Sequence, residues 1–354
     1  MAENNNLCRI LKELHRNPCS QSELCEKLQL SKSHIHGLIS NLITPGLIEK
    51  QESQYNQEQG RPKQLLKISS SMEYCSIVVI HSNWEFKAYL FVYGYTEEVG
   101  SIALKHVKTA KEFSENLNKA VNTLCTQYNI KKNKVLSILV ATQGTIEQGC
   151  TGIMYRNNNL EDINIDFAML ITQVTNIKTY VYNFAYGHLL ALQNSKHVNT
   201  DSAMALLCGE GSVALGIFLD KKILLGRNNS FPECSHLPYS HGFEKSLGKY
   251  GKYTEDALLF AIESIAPVYN LTNIIVAGST FDEHLDTVYK VSQTLKSAPD
   301  PLLHNLVLEY HDEEIKHYFT EFIYKSFDNL VDVLNPKTIK RDLEFMAKNL
   351  GFDN

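Results

Sequence analysis

The sequence predicts an α/β chain headed by a winged helix-turn-helix, and three observations carry that expectation. Apolar residues at the front recur at helical spacing in short runs. A Pro-Gly turn is then followed by two strand-like runs around a polar loop. From residue 75 onward, strand-like and helix-like segments alternate. With 354 residues, 44% hydrophobic and 21% charged, the chain is long enough for two or three domains and apolar enough to fold through most of its length.

Leu7, Ile10, Leu11 and Leu14 fall at i, i+3, i+4 and i+7, one face of a first helix that Asn17-Pro18 ends. Ser20 and Glu23 form a capping-box pattern, so a second helix starts near Gln21 and runs to Leu28. Ser31 is the expected N-cap of a third helix, whose inner face is Ile35, Leu38, Ile39 and Leu42. Its outer face is Lys32, Ser33, His34 and His36. Two short helices, a tight turn and a third helix with small, polar and basic groups at its start make a helix-turn-helix, whose third helix enters the major groove. A three-helix bundle with a solvated polar face fits this stretch as well. The next residues favour the former reading. Pro45-Gly46 ends the third helix, Leu47 to Lys50 reads as a strand, Gln51 to Gln59 as a polar loop, and Gln64 to Ile68 as the returning strand. At the tip of this wing Gly60, Arg61 and Lys63 combine close backbone approach with two cations, which suits phosphates or a narrow minor groove, although an ordinary basic turn has the same composition.

Charge divides the chain in the same place. Residues 1–70 hold nine Lys and Arg against seven Asp and Glu, a net +2, while the remainder holds 25 against 32, a net −7. Only the front suits a polyanion. Eight cysteines are scattered without a Cys-x-x-Cys pair, which argues for reduced thiols rather than a disulfide framework or a zinc knuckle. There is no basic-then-apolar leader and no apolar run of about 18 residues. The expectation is a cytoplasmic protein without a membrane partner.

Beyond the wing, residues 75–93 read as two adjacent strands closed by Gly94. A helix near Lys111 to Tyr128, a strand at Val135 to Ala141, a helix near Phe167 to Thr175 and a strand at Thr179 to Tyr182 follow. Further strands are expected at Met204 to Leu207, Val213 to Leu219 and Ile274 to Ala277. The tail from Pro301 reads as amphipathic helices that pack back on the lobes, with Ile315, Tyr318, Phe319 and Phe322 at helical spacing.

The order helix-turn-helix, Gly46-Leu47-Ile48-Glu49, polar loop and Gly60-Arg61-Pro62-Lys63-Gln64-Leu65-Leu66-Lys67-Ile68 resembles the ROK regulators (repressor, open reading frame, kinase), the family of the N-acetylglucosamine and xylose repressors. The resemblance spans about Leu7 to Gly278. It implies a two-lobed actin-like ATPase (ribonuclease H-like) sugar-kinase fold behind the winged helix, divided at 1–70, 71–185 and 186–354. It also implies assembly as a homodimer or tetramer.

Where that family carries an Asp-x-Gly-x-Thr turn for the ATP phosphates, this chain has His81-Ser82-Asn83-Trp84-Glu85, with neither glycine nor aspartate. The segment Ala141-Thr142-Gln143-Gly144-Thr145-Ile146-Glu147, then Gly152-Ile153 and Asn159-Leu160, is similar to the family's Val-Pro-Gly-x-Val-Asp … Gly … Asn-Leu and fixes the frame. Tyr182-Asn183-Phe184-Ala185-Tyr186 then stands where the family has Glu-Asn-Asp-Ala-Asn, whose aspartate is the general base. A phenyl ring cannot accept a proton, so Phe184 removes a factor of roughly 10² to 10⁴ in rate; the ring would stack on a ligand or fill the sugar pocket. Glu210, Ala214 and Leu215 alter a second phosphate segment running from Gly209 to Gly216, and Ala277-Gly278-Ser279 resembles the adenosine-side turn.

Phe231-Pro232-Glu233-Cys234-Ser235-His236 matches the family's Gly-Glu-x-Gly-His, which makes Glu233 and His236, with Asn183, the candidate ligand contacts. A buried Glu/His pair that merely holds its loop is the alternative. The family's zinc cysteines are absent after Cys234, and His236 with His241 cannot complete four ligands, so no metal and no cofactor are expected. The expected function is a DNA-binding regulator without catalytic residues, with an operator duplex as partner and a sugar, sugar phosphate or protein as effector. A ligand-free scaffold and an active sugar kinase are the other readings.

Overall fold

A computed structural model describes residues 2–44, 46–51, 64–69, 75–82, 85–92, 98–147, 149, 152–156, 160–195, 197–209, 212–247, 254–282, 284–311 and 315–332. The front is a winged helix. Helices α1 (Ala2–Arg16), α2 (Gln21–Leu28) and α3 (Lys32–Ile43) surround a three-stranded antiparallel sheet of β1 (Cys19–Ser20), β2 (Ile48–Gln51) and β3 (Leu65–Ile68), in the order β1-β3-β2. The Ser20–Glu23 capping box forms as expected: the Glu23 N–H donates to Ser20 Oγ at 3.3 Å, and the Ser20 N–H donates to Glu23 Oε2 at 2.8 Å. The inner-face residues Ile35, Leu38, Ile39 and Leu42 are all buried. Strand β1 was not anticipated. Two residues carry no periodicity, and Cys19 and Ser20 become a strand only because Leu66 and Leu65 lie beside them.

The rest of the described chain contains two five-stranded sheets. The first uses β4 (Cys75–Ser82), β5 (Glu85–Val92) and β6 (Gly100–Ala103), then, after α4 (Ala110–Gln127), β7 (Val135–Thr142). A small sheet of β8 (Thr145–Ile146), β9 (Ile153–Arg156) and β10 (Ile165–Asp166) precedes α5 (Phe167–Thr175) and the last strand, β11 (Thr179–Asn183). The second half opens with α6 (Ala185–Asn194), then β12 (Ser202–Gly209), β13 (Ser212–Leu219) and β14 (Lys222–Ile223), followed by α7 (Phe243–Leu247) and α8 (Thr254–Tyr269). It continues through β15 (Asn273–Ala277), α9 (Ser279–Asp282), α10 (Leu285–Lys296), α11 (Pro301–His304), β16 (Val307–His311) and α12 (Ile315–Asp332).

Numbered within each half, both sheets have the same order. They read β6-β5-β4-β7-β11 and β14-β13-β12-β15-β16: an antiparallel three-strand meander whose first strand pairs in parallel with the fourth strand, which pairs in parallel with the fifth. This repeat is the two-lobed architecture expected from the sequence. Strand alternation sends Cys75, Ile77 and Val79 of β4 into a core with α4 and α5, and Val78 and Ile80 into a core on the opposite face. That second core is shared. It unites the sheet face, α12 and the winged helix, with Leu11, Leu14, Phe322, Phe327 and Val331 in one cluster.

The tail departs from the all-helical expectation. Val307–His311 is a strand, paired in parallel with β15 from Asn273↔Val307 to Ala277↔His311. Five residues are too few to separate a two-residue from a 3.6-residue period, and the neighbouring strand decides the outcome. Helix α12 does return to pack: it lies on α6, on the first sheet through β4 and β7, and on α1 of the winged helix.

Candidate functional site

Helix α3 begins at Ser31, whose hydroxyl accepts from the His34 N–H at 3.3 Å and lies 3.3 Å from Ser33 Oγ. This cap fixes the first turn and turns Lys32, Ser33, His34 and His36 to solvent. Lys32 has no ion pair among the described residues, while nearby Lys27 is held by Glu13 at 3.1 Å and Lys67 by Glu49 at 2.9 Å. The unpaired N–H groups and the dipole of this helix end favour an anionic partner. Two features escaped the sequence reading. Gln21 Nε2 donates to the Lys32 carbonyl at 3.1 Å, which brings the start of α2 beside the start of α3. Gly37 and Ser40 extend the exposed face by a further turn, and nothing lies within 4 Å of where a Cβ on Gly37 would sit. The 3.6-residue period continued from Ser33 and His36 contains that signal. Strands β2 and β3 form the base of the wing, from Ile48↔Ile68 to Gln51↔Leu65. Its tip, with Gly60, Arg61 and Lys63, lies outside the described residues.

The second cluster of candidates lies where β11 passes into α6. The Asn183 side chain spans that joint: Nδ2 donates to the Gly144 carbonyl at 2.9 Å, and Oδ1 accepts from the Ala185 N–H at 2.9 Å. The Phe184 N–H donates to Thr142 O at 2.9 Å, so the chain ends of β7 and β11 are tied together here. The Phe184 ring is half-buried and meets His188 edge-on at 5.1 Å. Tyr182 and Tyr186 stack at 5.1 Å, and Tyr186 lies 5.8 Å from Phe231, which packs against α6. Burial pushes the Tyr186 hydroxyl above the usual phenol range.

Glu233 and His236 sit at the two ends of a 3-10 turn, both exposed, around a buried Cys234 whose thiol reaches Val213 O at 3.6 Å. Their exposure rules out the buried Glu/His pair. The loop-holding half of that alternative survives, because Glu233 Oε1 accepts from the Ser235 N–H at 3.1 Å. Asn183 with Phe184, and Glu233 with His236, thus form two local groups, and the ring contact of Tyr186 with Phe231 links the segments that carry them.

At the other candidate motifs the backbone is closely packed. β4 runs to Ser82 and β5 starts at Glu85 in direct register, leaving two residues for the turn. In the second half Gly209 pairs with Ser212, and Glu210 and Gly211 lie outside the described residues. Gly278 has φ +98°, and a Cβ there would lie 2.4 Å from Cys208 O, so only glycine lets the β15 turn approach β12 this closely. Among the described residues no group of three or more His, Cys, Asp or Glu is placed to hold a metal, and no helix is long and apolar enough to cross a membrane. Seven cysteines there are free thiols.

Comparison with known proteins agrees with this layout. The MarR family matches residues 8–56, and the ROK family matches residues 91–254. No curated protein sequence matches the chain. Among solved structures, a ROK family transcriptional regulator, homolog of the E. coli MLC protein, superposes with a TM-score of 0.70 at 16% identity, over 93% of this chain and 98% of its own. A ROK family glucokinase from Streptomyces griseus, in complex with glucose and AMPPNP, gives 0.54 at 11% identity over 72% and 98%. An inorganic polyphosphate/ATP-glucomannokinase from Arthrobacter sp. strain KM gives 0.52 at 13% over 74% and 100%. The two kinases align with about three quarters of the chain, and the regulator extends over nearly all of it. The chain thus carries a segment that matches the MarR family ahead of a segment that matches the ROK family, on a fold shared with these structures.

Proposed function

We propose that this protein is a DNA-binding transcription regulator, catalytically inactive as a sugar kinase, that acts in the cytoplasm as a homodimer or tetramer. Its working units are 1–70, which reads DNA, and the two lobes 71–185 and 186–354, the second contributing its last helix back to the first. Phe184 carries the reading: at the position from which a kinase of this fold would withdraw the sugar proton stands a ring without a lone pair, packed against His188. The exposed start of α3 supplies the DNA contact, and two-fold pairing of heads on a palindromic site supplies the affinity that one short helix lacks. A sugar or sugar phosphate bound near Asn183, Glu233 and His236 would shift the equilibrium between arrangements of the heads.

The test has three arms. Purified protein should enrich specific duplexes from a random-sequence pool. It should give no sugar-dependent ATP turnover across a sugar panel; turnover that disappears in Glu233→Gln or His236→Ala would overturn the reading. A sugar or sugar phosphate should raise the melting temperature, because a ligand of the native state alone must do so. A second reading, a ligand-free scaffold, draws support from the local hydrogen bonds that already engage Asn183 and Glu233. A flat thermal response to every sugar and sugar phosphate, with duplex enrichment intact, would favour it.

A further inference from the structure

Helix α12 packs on α6, which starts beside one candidate site, and on α1 of the winged helix that carries the other. In its first half, Phe322 lies against Gly187 of α6 so closely that a Cβ at 187 would be 2.5 Å from the ring, and Glu321 accepts from Asn194 Nδ2 at 2.9 Å. Helix α6 is the one that starts immediately after Phe184. In its second half α12 holds the winged helix. Arg16 pairs with Asp328 at 2.9 Å, Tyr324 donates to the Arg16 carbonyl at 3.2 Å, and the Cys8 thiol reaches Val331 O at 3.7 Å. His15 stacks on Phe327 with ring centroids 4.0 Å apart and planes within 7°. Between these ends α12 rests on the first sheet partly through polar contacts: Ser326 with Ser137, Asn329 with the Tyr182 hydroxyl, and the Asn329 carbonyl with Tyr180. On the same sheet the Ser76 hydroxyl is buried without a hydrogen-bond partner among the described residues.

We infer that α12 is the coupling element of this protein: a change at the Phe184 end of α6 reaches the DNA-reading head as a rigid shift of α12. The shift passes through the Gly187–Phe322 joint to the Arg16–Asp328 and His15–Phe327 latch. The physical reason is packing. Head, α12 and sheet face share one close-packed cluster, and such cores move between discrete arrangements rather than deforming smoothly. The contact at Gly187 leaves no slack to absorb a movement of α6, and the latch leaves none between α12 and α1. The polar seat beneath α12 offers hydroxyl and amide partners that can be exchanged, unlike an interdigitated apolar seam. The meaning of the output rests on the regulator reading; the mechanical link does not.

The test uses the full chain. Gly187→Ala forces Phe322 to move, and Gly187→Ala with Phe322→Leu relieves the clash. Asp328→Ala cuts the latch, and Asn194→Ala loosens the α6 joint at an exposed site where folding is not at risk. Amide hydrogen exchange within α1 and α3, and affinity for duplexes selected by the wild-type chain from a random pool, are measured for each. Gly187→Ala should speed exchange in α1 and α3 and weaken binding about tenfold, in the range of ordinary coupling between sites. Asn194→Ala should shift both in the same direction and less far. Phe322→Leu should return the Gly187→Ala protein to within about twofold of wild type, and in the Asp328→Ala background Gly187→Ala should add no more than about twofold. Exchange changes confined to α6 and α12, in Gly187→Ala or, if that protein does not fold, in Asn194→Ala, would overturn the inference. So would an equal effect of Gly187→Ala with and without the latch. If the wild-type chain enriches no duplex, the regulator reading fails, and the exchange arm still decides the coupling.

Discussion

Among the described residues no carboxylate holds Lys32 at the exposed start of α3, so its charge faces solvent. Lys32→Ala should weaken duplex binding and reduce the slope of log K against log salt by about 0.9 per head, the contribution of one phosphate contact. A salt titration checks this, and an unchanged slope would remove Lys32 from the interface. Arg61→Ala is expected to behave in the same way. At the other end of the chain, Gly278→Ala places a methyl 2.4 Å from the Cys208 carbonyl at a backbone angle that L-residues rarely adopt. It should destabilise by on the order of 2 kcal/mol or more, read as a lower urea midpoint. At Phe184 the backbone N–H ties the end of β11 to β7, and the side chain is a ring without a proton acceptor.

At the scale of elements, caps and neighbours divide the work. The second helix begins where it does because Ser20 and Glu23 satisfy each other's backbone N–H groups. Ser20→Ala should therefore cost about 1 kcal/mol and speed amide exchange at the start of α2. Helices with a cap and a full apolar face, such as α3 and α4, were legible from residues alone. The short pieces β1 and β16 were not, because each is held by a partner strand distant in sequence.

At the scale of the whole molecule, the junction between head and lobe is sensitive to protons. His15 has its Nδ1 sealed from solvent beneath Phe327 and Tyr324, and burial, with the neighbouring Arg16 charge, lowers its pKa to about 3. A folded-state value below the unfolded value of 6.5 means that the unfolded state binds the proton first. Stability from this group is complete above about pH 6.5 and falls by up to roughly 1.4 kcal/mol per unit as the pH drops below it. Glu321, whose carboxyl burial pushes up, acts with the opposite sign at the acidic end of the range. The clearest window is therefore roughly pH 7 to 5.5. His15→Phe should flatten the dependence of melting temperature on pH in that window while keeping the stack on Phe327. An equally steep dependence in the variant would assign the protons elsewhere.

The residues alone determined the winged helix, the alternation that follows it, and the identity of the side chain at each candidate position. These are local properties: periodicity, caps and the presence or absence of a proton acceptor can be read within a few residues. Only the tertiary structure decided that the two sheets repeat one strand order, that Glu233 and His236 stand exposed, that Asn183 is engaged by Gly144 and Ala185, and that α12 lies between α6 and the winged helix. Those facts depend on contacts between residues as far apart as Cys8 and Val331, and pairing across such separations is selected by the packing of the whole chain rather than by any segment of it.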